Sequence, residues 1–364
     1  MRVLLLTTDA YGGHGGIALY NRDIADALAA MPQVTEVVVV PRTLPFAPQG
    51  VPEKVRFLTH AAGGKLRYVR AALACARSRF DLLICGHANL LPLAGLLQLK
   101  LRCPLVLMVY GIDVWTRPHA STNFWLRRVS AVWSISKVTR DRMNVWAKLP
   151  DSAFVLLPNA IHLDRYGVAE KSAELVARYQ LQGRKVILTL ARLPSAERYK
   201  GVDEVIEALP ALIKNLPGLK YLVAGDGDDR ARLEAKVQAL GLADHVVFAG
   251  FVDERQKADH FRLADVFVMP GRGEGFGFVF LEALACGVPS VGSMIDGSRE
   301  ALLDGALGEL VDPSDPDSIR DGIQRALQKP IEILPGLAHF GWPRFRARLH
   351  AAIDSVVTTR ASIR

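Results

Sequence analysis

A chain of 364 residues exceeds one small module and suits two domains, each long enough to bury a core of its own. Half of the residues are hydrophobic, 23% are charged and no low-complexity tract occurs, which excludes a disordered, collagen-like or coiled-coil protein. The formal net charge is +8 and unevenly held: residues 1–165 carry 20 Lys and Arg against 10 Asp and Glu, and residues 166–364 carry 25 against 27. A basic surplus suits nucleic acid, an anionic membrane or a phosphorylated substrate, and only the first half has one.

The apolar run VLLLTT (3–8) opens the chain, and Asp9 interrupts it too early for the core of a signal peptide. A glycine loop follows, then an amphipathic helix from Ile17 to Ala30 and the apolar run VTEVVVV (34–40). GKLRYVRAALACARSRF (64–80) reads as a basic amphipathic helix. Leu66, Val69, Leu73, Ala76 and Phe80 line one face, with Arg67, Arg70 and Arg77 on one flank and Lys65 and Arg79 on the other. Strand-like runs then come at 81–85, 105–110, 130–136 and 152–160. The stretch 88–111 is broken by Pro92, Gln98, Lys100 and Arg102, so it reads as a helix and a buried strand rather than a membrane span. A second series runs through 185–193, 219–227, 245–251, 264–271, 288–293 and 307–312, with helices between. Apolar runs alternating with helices require parallel sheets covered on both faces, and two consecutive series imply two doubly wound α/β domains. Four cysteines without CxxC spacing suggest neither zinc nor a disulfide framework, which fits a reduced, cytoplasmic setting.

Ligands in such sheets bind at strand carboxyl ends, and polar and glycine residues cluster there in both halves, so the expected site lies between them. In YGGHGGIALYNRDIADAL, Gly12, Gly13, Gly15 and Gly16 sit between a strand and a helix, where bare backbone amides approach a phosphate or sugar. His14 either reaches a ligand or is a solvated loop histidine. TLARLPSAERYKGVDEVIEAL places Arg192 at a strand end and Lys200 at a helix start, a pair suited to a diphosphate. PGRGEGFGFVFLEALACGVP is the sharpest motif. Gly271, Gly273, Gly275 and Gly277 form a loop around Phe276, and a helix begins near Phe278. Its carboxylates, Glu274 and Glu282, suit hydroxyl donors such as a sugar and a ribose on either side of a diphosphate. Gly225 in AGDG reads as a phosphate turn or a plain turn, and Phe248 to Val252, with Gly250, as backbone facing a base or as core.

The order ARL…KG, AGDG, FAGFV and EGFGFVFLEALACGVPSV resembles the retaining glycosyltransferases of family 4 (glycosyl transferases group 1), which have the GT-B fold. LLPNAIHLDRY (156–166) looks like the family's domain-crossing NGVD stretch, with Ala160 and His162 in place of Gly and Asp. FGWPRFRARLHAAIDSV (340–356) looks like its returning terminal helix. The resemblance implies two Rossmann-like domains facing across a cleft. An acceptor domain would span 1–165 with the helix at about 340–364, and a donor domain 166–339. Glu274 with Arg192 and Lys200 would carry the chemistry. Gly15, Gly16, Gly225, Gly250, Val252, Gly275, Phe276, Gly277 and Glu282 would bind the donor, Glu282 through its ribose. The family's HGxD segment reads YGID here, with Tyr110 for the histidine and Asp113 retained, so His14, Tyr110 and Asp113 are the acceptor-side candidates.

The function so implied is metal-independent transfer of a hexose, with retention, from GDP-mannose or a UDP-sugar to a hydroxyl of a lipid-linked or cell-surface polysaccharide acceptor. No cofactor is expected. The basic first half suits an anionic membrane surface, and hence a peripheral place at the inner face of the cell membrane. Two other readings share the architecture: a nucleotide-sugar epimerase and a non-catalytic nucleotide-sugar-binding subunit. Nucleic acid is not an expected partner, because no aromatic-basic interleaving or helix-turn-helix signature occurs.

Overall fold

The apolar runs become parallel strands. The computed structural model describes residues 1–13 and 15–361 and divides into two units, one of Met1–Ala160 with the chain from Pro343 onwards, the other of Ile161–Trp342. The first unit holds β1 (Arg2–Thr7), α1 (Gly16–Ala29), β2 (Glu36–Pro41), β3 (Val55–Phe57), α2 (Lys65–Cys75), β4 (Leu82–Cys85), α3 (Leu91–Leu101), β5 (Leu105–Val109), α4 (Ile112–Trp115), α5 (Ala120–Leu126), β6 (Ala131–Ser134), α6 (Lys137–Ala147) and β7 (Phe154–Leu156). Its strands pair in parallel in the order β3-β2-β1-β4-β5-β6-β7. Val3 to Leu6 and Val37 to Val40 are fully buried, as strands covered on both faces must be. Each such side chain contributes about 1.5–3 kcal/mol on leaving water. Edge strand β3 escapes the pattern reading because three residues are too few to show a period.

The second unit holds α7 (Ala173–Arg178), β8 (Lys185–Leu190), α8 (Val202–Asn215), β9 (Leu219–Ala224), α9 (Arg230–Ala239), β10 (Val246–Gly250), α10 (Lys257–Arg262), β11 (Val266–Met269), α11 (Phe278–Ala285), β12 (Ser290–Ser293), α12 (Ser298–Ala301), β13 (Glu309–Val311) and α13 (Pro316–Ala326). Its strands are parallel in the order β10-β9-β8-β11-β12-β13. α8 turns Val202, Val205, Ile206, Leu209 and Leu212 into the core, and α13 adds Ile319, Ile323 and Ala326 beside it. Together these are the two Rossmann-like sheets of a GT-B protein. The chain leaves the first unit after Ala160, five residues before the expected boundary. The segment 161–166 goes with the second unit because Tyr166 there bonds Glu282 and Ile161 N–H donates to Phe340 O at 2.8 Å. α14 (Trp342–Ala361) returns to the first unit, burying Phe345, Leu349, Ala352 and Ile353 and setting Phe345 edge-on to Tyr20 of α1.

The basic helix differs from its expected form. α2 ends at Cys75, so Ala76 and Phe80 lie beyond it, and its core face is Tyr68, Ala71, Ala72 and Cys75. Leu66, Val69 and Leu73 point outward, Leu66 being 74% exposed. The small and aromatic residues win the core because α2 packs close against the sheet. Cys75, Cys85, Cys103 and Cys286 are all buried thiols. Among the described residues no helix is long and apolar enough to cross a membrane.

The end of β9 shows why one glycine of the AGDG turn is there. Gly225 N–H donates to Gly250 O at 2.8 Å, its φ is 143°, and a Cβ on it would lie 1.8 Å from Ala191 O. Gly225→Ala should therefore destabilise the second unit by about 3 kcal/mol or more, from backbone strain and overlap together. Urea denaturation of the two proteins side by side measures it.

Candidate functional site

In each unit the strand order reverses once, between β1 and β4 and between β8 and β11. At such a point neighbouring helices leave on opposite faces and open a crevice at the strand carboxyl ends. The segments that follow β8 and β11 carry the two sharpest sequence motifs, Arg192–Gly201 and Gly271–Gly277. They touch along their backbones. Arg272 N–H donates to Tyr199 O at 2.8 Å, a Cβ on Gly201 would lie 2.7 Å from Pro270 O, and one on Gly273 would enter the Tyr199 ring.

Contact at that distance brings opposite charges together. Lys200 Nζ donates to Glu274 Oε2 at 2.9 Å, both side chains being 19% exposed. Burial pulls the lysine pKa down, but Glu274 outweighs it and leaves the ammonium above its ordinary value, held as a cation. Arg192 is open to solvent and bonds Glu197 at 2.5 Å. Lys200 Nζ lies 5.6 Å from the centre of the Tyr199 ring, and burial raises that phenol's pKa. Arg272, which no sequence signal singled out, ties the glycine loop to Glu204 of α8 and to Pro313 O.

Glu282 lies in α11 and is fully buried. It accepts from Tyr166 at 2.9 Å and from Lys257 at 3.1 Å, and Lys257 also meets Glu254 at 3.0 Å. Burial works against the Lys257 cation, and the two carboxylates more than reverse that, so it stays charged. Neither Tyr166 nor Lys257 was legible beforehand, because only the fold brings them to Glu282. Gly277 caps α11 and Gly275 is buried beside it. The Phe276 side chain is 1% exposed and packs edge-on to Phe340, so only its backbone can face a ligand. Gly250 closes β10 against Gly225, and Val252 is buried two residues beyond. Another buried carboxylate, Asp296, accepts from Glu274 N–H at 3.0 Å.

In the first unit, the loop between β1 and α1 presents Gly15 and Gly16 with open space where a Cβ would stand. His14 lies outside the described residues. Tyr110, one of the acceptor-side candidates, is buried and faces inward. Its hydroxyl lies 2.7 Å from Asn21 Oδ1 and 2.9 Å from Gly86 O, so its one proton is spent within the fold. Asp113 Oδ1 accepts Tyr110 N–H at 3.2 Å, and its Oδ2 is buried with no hydrogen-bond partner. Burial pushes this carboxyl up to about 7. His87, at the carboxyl end of β4, was not among the expected residues. Its Nδ1 accepts Asn89 N–H at 3.1 Å, which leaves the proton on Nε2, and burial lowers its pKa.

Comparison with known proteins covers both units. The family model described as Glycosyltransferase Family 4 matches residues 14–165, and that described as Glycosyl transferases group 1 matches residues 173–335. A GDP-mannose-dependent alpha-(1-6)-phosphatidylinositol monomannoside mannosyltransferase of Mycolicibacterium smegmatis is 36% identical over 240 residues, 62% of this chain and 61% of that protein. An alpha-D-kanosaminyltransferase of Streptomyces kanamyceticus is 31% identical over 222 residues, 60% of this chain and 55% of that protein. The matched part thus spans about three fifths or less of these relatives' own length. The fold is that of Anabaena HepE, solved with UDP and glucose, at a TM-score of 0.74 and 20% identity over 98% of this chain and 100% of that one.

The Asp113 geometry has a measurable consequence. A carboxyl at about 7 in the fold, against its ordinary value of 3.8, binds its proton more tightly when folded. Its contribution to stability is therefore present below pH 4 and declines as pH rises from about 4 to about 7. Asp113→Asn should remove that decline, so urea midpoints at pH 5 and pH 8 should differ less in the variant than in the parent.

Proposed function

We propose that this chain, which belongs to glycosyltransferase family 4, moves a hexose from GDP-mannose or a UDP-sugar to a hydroxyl of a lipid-linked or cell-surface polysaccharide acceptor. The observation that carries this reading is the Lys200–Glu274 contact at 2.9 Å, at the carboxyl ends of the strands where the second sheet reverses its order. A cation able to meet phosphate and a carboxylate able to accept from sugar hydroxyls are there one hydrogen bond apart. The names of the relatives support it, one citing GDP-mannose and phosphatidylinositol monomannoside, the other a kanosaminyl group.

The donor exchanges partners as it binds. Its diphosphate takes Lys200 and Arg192 from Glu274 and Glu197, and Glu274 turns to the sugar hydroxyls. Glu282 accepts from the ribose diol, with Lys257 balancing its charge. The bond between the sugar's anomeric carbon and the diphosphate oxygen breaks, and the acceptor oxygen bonds that carbon on the same face, so configuration is retained. The acceptor's proton passes to the leaving phosphate oxygen. Charge developing on the diphosphate meets Lys200, Arg192 and the free N–H groups at the start of α11, and needs no metal. The second unit binds the donor and the first the acceptor, with Gly15, Gly16 and Asp113 as the first unit's candidate ligand contacts.

The first unit also has a surface for a lipid-borne acceptor. α2, α3 and α5 pack side by side over one core, and none of the three contains Asp or Glu. Leu66, Leu73, Leu96, Leu99 and Phe124 are exposed on them, among Lys65, Arg67, Arg70 and Lys100. Apolar side chains with cations beside them suit the interface of an anionic bilayer at the inner face of a cell membrane.

Release of nucleoside diphosphate from a panel of nucleotide sugars, with and without acceptor, tests the reaction. Transfer is the expected result. Epimerised donor would make the chain an epimerase, and binding without turnover would make it a non-catalytic subunit. Lys200→Ala should lower turnover by about 10²–10³-fold, the usual cost of losing one donor to a developing anion. The surface is tested separately by sedimentation with phosphatidylglycerol vesicles. Binding should weaken with added salt and in the double variant Leu66→Asp, Leu73→Asp, and equal binding to phosphatidylcholine would refute the electrostatic part.

A further inference from the structure

Behind the glycine loop stands a carboxylate that belongs to no motif. Asp296 follows β12 on the turn into α12 and is fully buried. Its Oδ2 accepts Glu274 N–H at 3.0 Å, while its Oδ1 accepts Ser298 N–H at 3.0 Å and lies 2.6 Å from Ser298 Oγ. The next residue closes the other side, Gly297 N–H donating to Glu274 O at 2.8 Å. Both backbone polar groups of residue 274 thus end on Asp296 and Gly297. A Cβ on Gly297 would lie 2.2 Å from Gly275 O, so the two backbones are in contact. Ser298 Oγ also accepts Ser293 N–H at 2.9 Å, which fastens the turn to the end of β12.

The donors around Asp296 dictate its chemistry. Backbone N–H groups converge on both of its oxygens from two different segments, and only an ionised carboxylate accepts on both. An amide in its place presents N–H to N–H on one side. Burial raises its carboxyl to about 6, and the hydrogen bonds from Ser298 and Glu274 oppose that rise, so it is mainly ionised at neutral pH.

We propose that Asp296 is a positioning residue for the donor sugar: by holding the main chain of Glu274 from behind, it aims the Glu274 carboxylate and the loop backbone at the sugar ring. This rests on the reading of Glu274 as the sugar-facing group. Asp296 touches no substrate and acts through Glu274 alone. The nucleoside end of the site, at Glu282, Lys257 and Tyr166, does not depend on it.

Asp296→Asn keeps volume and shape and removes one acceptor, and it is tested in the full chain by two readouts. The first is kinetic. Turnover should fall by about 10²-fold, as for a misplacement near 1 Å, while the Kd for the nucleoside diphosphate stays within about twofold of the parent. Parental turnover, or affinity falling by the same factor as turnover, overturns the proposal. The second is hydrogen–deuterium exchange of the unliganded chain, where peptides covering 271–277 should exchange roughly tenfold faster and those of β8 and β9 at the parental rate. Unchanged exchange in 271–277 overturns it too. Should Asp296→Asn not fold, Ser298→Ala replaces it, with a several-fold fall in turnover and the same exchange pattern expected, and parental values refuting. If the parent chain binds and turns over no nucleotide sugar, the glycosyl-transfer reading fails, and the exchange data still decide whether Asp296 holds the loop.

Discussion

Two stretches of backbone in the second unit, Tyr199–Gly201 and Pro270–Gly273, lie so close that a Cβ on Gly201, Gly271 or Gly273 would come within 3 Å of the other stretch. Much of the candidate site follows from that approach. With no side chain between them, Arg272 N–H reaches Tyr199 O, and Lys200 lies within one hydrogen bond of Glu274. The strands beneath bring this about. β8 and β11 are neighbours at the reversal of strand order, so the segments that follow them leave the sheet side by side. Behind the loop a second backbone contact, Gly297 against Gly275, sets its other wall.

Charge in the second unit is local and paired. Lys200 faces Glu274, Arg192 faces Glu197, and Lys257 faces both Glu282 and Glu254. A buried charge is tolerated when an opposite charge and hydrogen bonds replace its water, and Lys200 and Lys257 satisfy that requirement. An incoming anion at such a site competes with a carboxylate already in place, so binding becomes an exchange of partners rather than simple attraction. In the first unit the surplus is arranged differently. Three adjacent helices together hold Lys65, Arg67, Arg70 and Lys100 and the exposed side chains of Leu66, Leu73, Leu96, Leu99 and Phe124 without one acidic residue.

The spacing of Glu274 and Glu282 was legible because both belong to one loop and the helix that continues it. Arg192 and Lys200 were legible for the same reason. Their partners were not. Asp296 lies 22 residues from Glu274, and Tyr166 lies 116 residues from Glu282. Nothing in a local pattern marks a carboxylate two residues before a short helix as the support of a loop elsewhere. The orientation of Tyr110 was hidden for a related reason. Its place in a motif pointed to substrate, but the packing of β5 beside β4 turns its hydroxyl to Gly86 and Asn21. In α2, spacing identified an apolar stripe, and packing put the other stripe, Tyr68, Ala71, Ala72 and Cys75, into the core.

The sequence by itself determined the class of fold, two parallel α/β sheets, because a strand buried on both faces must be apolar throughout and a helix must follow it. It also determined which loops bear the candidate chemistry, since glycines, cations and carboxylates at strand ends are local in the chain. Which residues meet was decided only by tertiary structure. The partners of Lys200, Glu274 and Glu282, the inward turn of Tyr110 and the outward face of α2 each depend on strand order and on helix rotation against a sheet. Those are set by packing summed over the whole core, and no single segment carries them.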